Sequence, residues 1–232
     1  MKNFLERLNE WIYMNTGDFG ELLYSLPILI LVCIVYILCR ALCIKRAHAD
    51  GKAAFPHEAV QFLLVLWFVV VGFMTLTPTS FWSDLWTICL YSTENSIMAE
   101  QIHFSGWQLV PQILDYIVQG HFSWFFASAR YIIPHFIENI ILFVPLGVLL
   151  PLVCNAPSWV AVTLTGFGTS FIIELSQGFF GRDGNIDDLL CNTLGTVAGF
   201  LIFMLVRKIF PSFVERCKNY KAINNRKSQK GV

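Results

Sequence analysis

Between Glu138 and Gly199 lies a set of side chains able to do chemistry, embedded in sequence that otherwise suits lipid. Glu138, Asn139, Glu174, Gln177, Arg182, Asp183, Asp187, Asp188 and Asn192 lie there, several of them at or within the ends of apolar runs. Ionisable groups placed there are costly unless they pair or face a cavity, so they mark a functional site by default. Two carboxylates such as Glu174 and Asp188 can divide general acid and base work when their environments differ. An arginine such as Arg182 can clamp an anion bidentately, and the amides of Asn139, Gln177 and Asn192 can orient a polar ligand or tie helices together. No nucleophile motif accompanies them: G-x-S-x-G, H-E-x-x-H and a phosphate-cradling glycine loop are all missing from the sequence. His103, His121 and His135 have no ligand spacing, so neither a metal nor a cofactor is expected.

The elements that must position this set are set by composition. Of 232 residues, 56% are hydrophobic and 14% charged, against roughly 25% charged in an average soluble domain. The reading is an all-α integral membrane protein. About 20 apolar residues cross a bilayer core of ~30 Å, and runs at 23–44, 59–77, 136–153, 159–180 and 188–206 meet that requirement. They lack the alternation of a β-barrel. Five transmembrane helices follow, with short interfacial helices at 81–91 and 106–120 in a long outer loop spanning 78–135.

Charge orients the bundle. Lys45, Arg46 and Lys52 occupy the 45–57 loop, and Arg207, Lys208, Arg216, Lys218, Lys221, Arg226, Lys227 and Lys230 crowd the tail. Basic loops remain cytoplasmic, which places the C-terminus inside the plasma membrane and the N-terminus outside. Nucleic acid is not an expected partner; the basic tail reads as the topology determinant. The expected organisation is a leader, first span and basic loop over 1–57, a membrane domain over 58–206, and a cytoplasmic tail over 207–232. Residues 4–12 suit an amphipathic helix at the outer interface. The acidic leader and long first run do not describe a cleavable signal peptide. Seven scattered cysteines provide no disulfide framework. Trp82, Trp86, Trp107 and Trp124 are expected at headgroup level.

Within this topology Pro145 predicts a kink in the third span, and Gly147 predicts a close helix approach. Thr163, Gly166, Ser170, Glu174 and Gln177 make one small and polar stripe; Asp188, Asn192, Gly195 and Gly199 make another, ending in a G-x-x-x-G spacing for backbone packing. Gly181 and Gly184 suit the positive φ of a tight turn. Asp187 or Asp188 can cap the fifth span. Glu138, Asn139, Glu174, Gln177, Arg182, Asp187, Asp188 and Asn192 thereby converge on one outer level as the candidate binding site, with a Glu174–Arg182 ion pair as its simplest structural content.

ENIILFVPLGVLLP, IIELSQ and GRDGNIDDLLCNTLGTVAG resemble the VanZ-like family of small membrane proteins. Asn139, Phe143, Pro145 and Gly147 match an N-x-x-x-F-x-P-x-G span, and Glu174 and Gln177 match an E-x-x-Q helix end. Arg182, Asp188, Asn192 and Gly195 match most of an R-x-x-D-x-x-D-x-x-x-N-x-x-G stretch, in which Asn185 replaces the middle acid. TLTP from Thr75 to Pro78 fits the end of an earlier span, and the resemblance covers about 60–206. It implies resistance to teicoplanin-type glycopeptides in some members and a cell-envelope role in others, without implying a particular reaction. Its implied partners are membrane lipids and a lipid-linked envelope precursor or lipoglycopeptide held at the outer site. The alternative is an intramembrane enzyme acting on a lipid-linked envelope substrate; a channel or transporter fits poorly, because the spans show no internal repeat.

Overall fold

The computed structural model describes residues 7, 20–47, 55–77, 81–91, 104–111, 114, 118, 122–154, 157–180 and 182–218. Seven helices and one two-residue strand pair occur among them: α1 (Gly20–Ala47), α2 (Phe55–Thr75), α3 (Phe81–Tyr91), β1 (Trp107–Gln108), α4 (Phe122–Val153), α5 (Trp159–Gln177), β2 (Gly184–Asn185), α6 (Ile186–Ile209) and α7 (Pro211–Lys218). Five helices are long and apolar enough to cross a membrane, over Leu22–Cys43, Phe55–Thr75, Ile132–Val153, Trp159–Gln177 and Ile186–Ile209. The protein is an all-α, multi-pass membrane protein. Leu31, Leu38, Leu164, Ile172 and Leu201 stand exposed along the spans, as lipid-facing positions must.

Missing side chains bring α4 and α6 together. A Cβ on Gly195 would lie 2.1 Å from the Ile140 carbonyl oxygen, one on Gly199 2.1 Å from the Val144 oxygen, and one on Gly147 2.1 Å from the Thr196 oxygen. The two helices therefore pack backbone to backbone and run parallel, as the glycine spacing predicts. Antiparallel to both, α5 lays Gly166 against Thr196, where a Cβ would meet the threonine Oγ1 at 2.2 Å. α4 continues as one helix through Pro134, Pro145 and Pro151. Ser158 caps α5 by accepting from the Ala161 amide.

Large side chains fill the space where α2 joins. Trp67 meets Phe143 edge to face at 5.3 Å and donates from Nε1 to the Leu142 carbonyl. Val71, Leu146 and Ile173 complete that cluster. Towards the other end, Val60, Leu152, Phe203, Val214 and Cys217 form a second cluster, which α7 covers. Arg40 of α1 holds Glu58 of α2 bidentately, at 2.7 and 2.9 Å, tying those helices near the basic end.

α3 forms over 81–91 as expected, but its tryptophans serve packing. Trp82 is buried and donates to the Phe73 carbonyl; Trp86 donates to the Tyr24 carbonyl of α1. The expected helix over 106–120 begins instead as extended chain, with β1 paired in parallel to β2 through Trp107–Gly184 and Gln108–Asn185. The proposed 4–12 helix, apart from Arg7, and the basic tail beyond Lys218 lie outside the described residues, as does the side chain of Trp124.

Candidate functional site

At the end of the bundle where α2 and α5 finish and α6 begins, the eight candidate residues resolve into distinct jobs. The last carbonyls of a helix lack intrahelical donors. Those of α2 are supplied from across the bundle: Arg182 Nη1 donates to the Met74 oxygen at 2.8 Å and the Thr77 oxygen at 3.5 Å, and Gln177 Nε2 donates to the Thr75 oxygen at 3.1 Å. A cation also suits the negative end of a helix dipole. Burial pushes the Arg182 guanidinium below its ordinary pKa, with Glu174 and Asp188 pulling the other way. Arg182 and Glu174 form no ion pair within 4.0 Å among the described residues; the expected pair is replaced by this cap.

Glu174 is 7% exposed and has another partner. Its Oε2 accepts from the Asn185 amide at 2.9 Å, so the carboxylate is oriented by backbone. The same Asn185 is the N-cap of α6, its side chain accepting from the Asp187 amide at 2.9 Å. That corrects the expectation that Asp187 or Asp188 caps this helix. Asp187 is buried in the first turn of α6, where the positive helix end favours an acid.

Asp188 belongs to a second group. Its Oδ1 accepts from Asn139 Nδ2 at 2.8 Å and sits 3.0 Å from His135 Nε2. The histidine is half exposed while Asp188 is 16% exposed. His135 and Asn139 stand one helical turn apart on α4, a spacing legible in the sequence but easily passed over because histidine there lacks a second ligand. Glu138, on the same turn, is exposed. One turn deeper, Asn192 Nδ2 donates to Ser170 Oγ at 2.9 Å, joining the two polar stripes.

A strap lies over this arrangement. Ser105 and Gly106 donate from their amides to the Gly178 carbonyl, and Gly184 donates to the Gly106 carbonyl. Gly106 turns the chain at φ 94°. Trp107 donates from Nε1 to the Glu174 carbonyl at 3.2 Å, and its ring occupies the space beside two glycines: a Cβ on Gly178 would lie 2.6 Å from the indole, and one on Gly184 2.4 Å from it. Gly184 is thus required for close approach, not for the positive φ that its turn context predicts. Trp107 also meets Phe179 edge to face at 5.3 Å. Beside the strap an open cleft of about 170 Å³ runs between α5 and α6, lined by Trp107, Leu109, Phe171, Leu175, Leu189 and Glu174 among others.

Trp107→Ala is expected to release the strap. Amide exchange at Ser105, Gly106 and Gly184 should quicken about tenfold or more, equivalent to roughly 1.4 kcal/mol, as read by hydrogen–deuterium exchange. Exchange elsewhere in α6 should hold.

The fold and this polar cluster define a five-span helical membrane protein with an acid- and amide-rich end. The chain belongs to the VanZ/LLP1 family, whose model matches residues 28–207. Compared with curated proteins and with solved structures, the chain matches none. No group of three or more His, Cys, Asp and Glu suited to a metal occurs among the described residues.

Proposed function

We propose that this VanZ-like protein acts in the cell envelope by binding, and contributes to tolerance of teicoplanin-type lipoglycopeptides through an outward-facing polar site. The basic 45–57 loop and tail favour the orientation, since cationic loops stay in the cytoplasm; the acid- and amide-rich end then faces out. The observation that carries the reading is Glu174: a buried carboxylate, held by one backbone amide, at the edge of an apolar cleft. A polar pocket against an apolar groove at the membrane boundary suits a ligand with a headgroup and a tail, such as a lipid-linked envelope precursor or a lipid-tailed antibiotic. Family membership supports the teicoplanin connection.

The structure also supplies an observation for the catalytic alternative, in which the site acts on a lipid-linked envelope substrate. His135, Asp188 and Asn139 form a hydrogen-bonded set of the kind that orients a general base. Against it, Arg182 directs its Nη1 to backbone carbonyls, which weakens the case for a phosphate clamp.

The expected result is that a strain lacking the protein becomes more susceptible to teicoplanin and is restored by the wild-type chain. In the same cells, and in a chain whose seven native cysteines are replaced by serine, a membrane-impermeant maleimide should label Glu138→Cys and leave Arg216→Cys unlabelled. Unchanged susceptibility, or the reverse labelling, overturns the proposal. Conversion of an envelope lipid by purified protein, read by mass spectrometry, would favour catalysis over binding.

A further inference from the structure

The polar end is rich in acceptors and short of donors. Glu138, Glu174, Asp187 and Asp188 gather there against Arg182 and His135, and Arg182 gives its Nη1 to the Met74 and Thr77 carbonyls. Between α5 and α6 the polar stripes form two rungs. Ser170 and Asn192 are bonded at 2.9 Å; one turn nearer the polar end, Glu174 and Asp188 occupy the corresponding positions. Oε2 of Glu174 is taken by the Asn185 amide, and Oδ1 of Asp188 by Asn139 and His135. Asn192 supplies an independent observation: it is 3% exposed, and its Oδ1 is buried with no hydrogen-bond partner. Buried amide oxygens are ordinarily satisfied, so this one calls for a donor.

The cleft lined by Glu174, one turn along α5 from the Ser170 partner of Asn192, indicates what would bring it. Phe171 and Leu175 line the cleft and are also exposed on the flank of α5, at 48% and 43%. The groove therefore opens sideways, towards the lipid, and leads from there to Glu174.

Resting on the reading of this end as a ligand site, we propose that its ligand is a bilayer amphiphile carrying a primary amine, with the ammonium on Glu174 and Asn192 and the alkyl chain along the Phe171–Leu175 cleft. An ammonium offers three donors, no acceptor and the complementary charge. A phosphate offers at most one donor, several acceptors and the wrong charge. The recognition is by charge and hydrogen bonding at the head and by apolar area along the tail.

The test uses purified full-length protein in detergent micelles, with retention of octadecylamine, N-octadecylacetamide or octadecyl phosphate read by native mass spectrometry. Octadecylamine is expected to be retained at least tenfold better than the other two. Glu174→Gln and Asn192→Leu should each reduce its retention about tenfold, while Asp183→Asn, at an exposed turn position, should not. Because the amine and amide are compared on the wild-type protein, the test survives a variant that fails to fold. Equal retention of amine and amide, or amine retention indifferent to both Glu174→Gln and Asn192→Leu in folded protein, overturns the inference. Preferential retention of the amide or the phosphate, lost in Glu174→Gln, overturns the amine while leaving a ligand site at this end. Retention of none overturns the inference, and the susceptibility experiment then decides the broader reading separately.

Discussion

Gly199→Ala is expected to unseat α4 from α6 and to lower stability. The added Cβ would lie 2.1 Å from the Val144 carbonyl oxygen and 2.9 Å from Gly147 Cα. Both are backbone atoms, so no side chain can rotate away, and the helices must separate. Overpacking of a filled interior costs about 1–3 kcal/mol, occasionally more, and here it also loosens the Gly147–Thr196 and Gly195–Ile140 contacts on the same seam. Gly168→Ala is the matched control. A Cβ there meets nothing within 4 Å, and the gain in helix propensity is about 0.5–1 kcal/mol. Thermal unfolding in detergent should show Gly199→Ala well below wild type and Gly168→Ala at or above it. Equal stability of the two variants would mean that α4 and α6 do not meet through this seam.

Arg182→Ala is expected to lose protein before it loses function. The side chain serves the end of α2, and its removal strips the donor from the Met74 and Thr77 carbonyls. A hydrogen bond from a charged group contributes about 1.5–3 kcal/mol, and Gln177 still holds the Thr75 carbonyl. The variant should therefore unfold earlier and accumulate less in membranes, with Arg182→Lys partway between because a lysine reaches one carbonyl without the planar fork. Activity normalised to abundance should fall little. An Arg182→Ala protein as stable as wild type but without function would instead make this guanidinium part of the ligand site.

The helices and their seams were legible because each rests on a local pattern. Apolar length marks the five spans, and Gly147, Gly195 and Gly199 announce backbone contact through spacing alone. The convergence of Asn139, Glu174, Asp188 and Asn192 followed from span direction and helical period. What the pattern could not reveal was which partner each group takes. Arg182 reads as a mate for Glu174 because both are charged and close in sequence, yet the uncapped carbonyls of α2, more than a hundred residues away, compete for it. Asp187 reads as a cap because it is acidic, whereas the shorter reach of Asn185 to the Asp187 amide wins. The placement of Trp107 is a tertiary fact. Nothing near it in sequence says that a loop tryptophan will fill the space beside Gly178 and Gly184, or that its strand will pair with the residue that orients Glu174.

Glu174→Gln is the cleanest probe of the site. The amide keeps the size of the carboxylate and retains an oxygen to accept from the Asn185 amide, so the fold should persist while the charge is lost. The decisive measurement is teicoplanin susceptibility of a strain lacking the protein, complemented with wild type or Glu174→Gln, with membrane abundance of each quantified alongside. A binding site centred on Glu174 predicts that wild type restores tolerance and the equally abundant variant does not. Full restoration by Glu174→Gln at equal abundance would contradict it and leave that carboxylate with only a structural task.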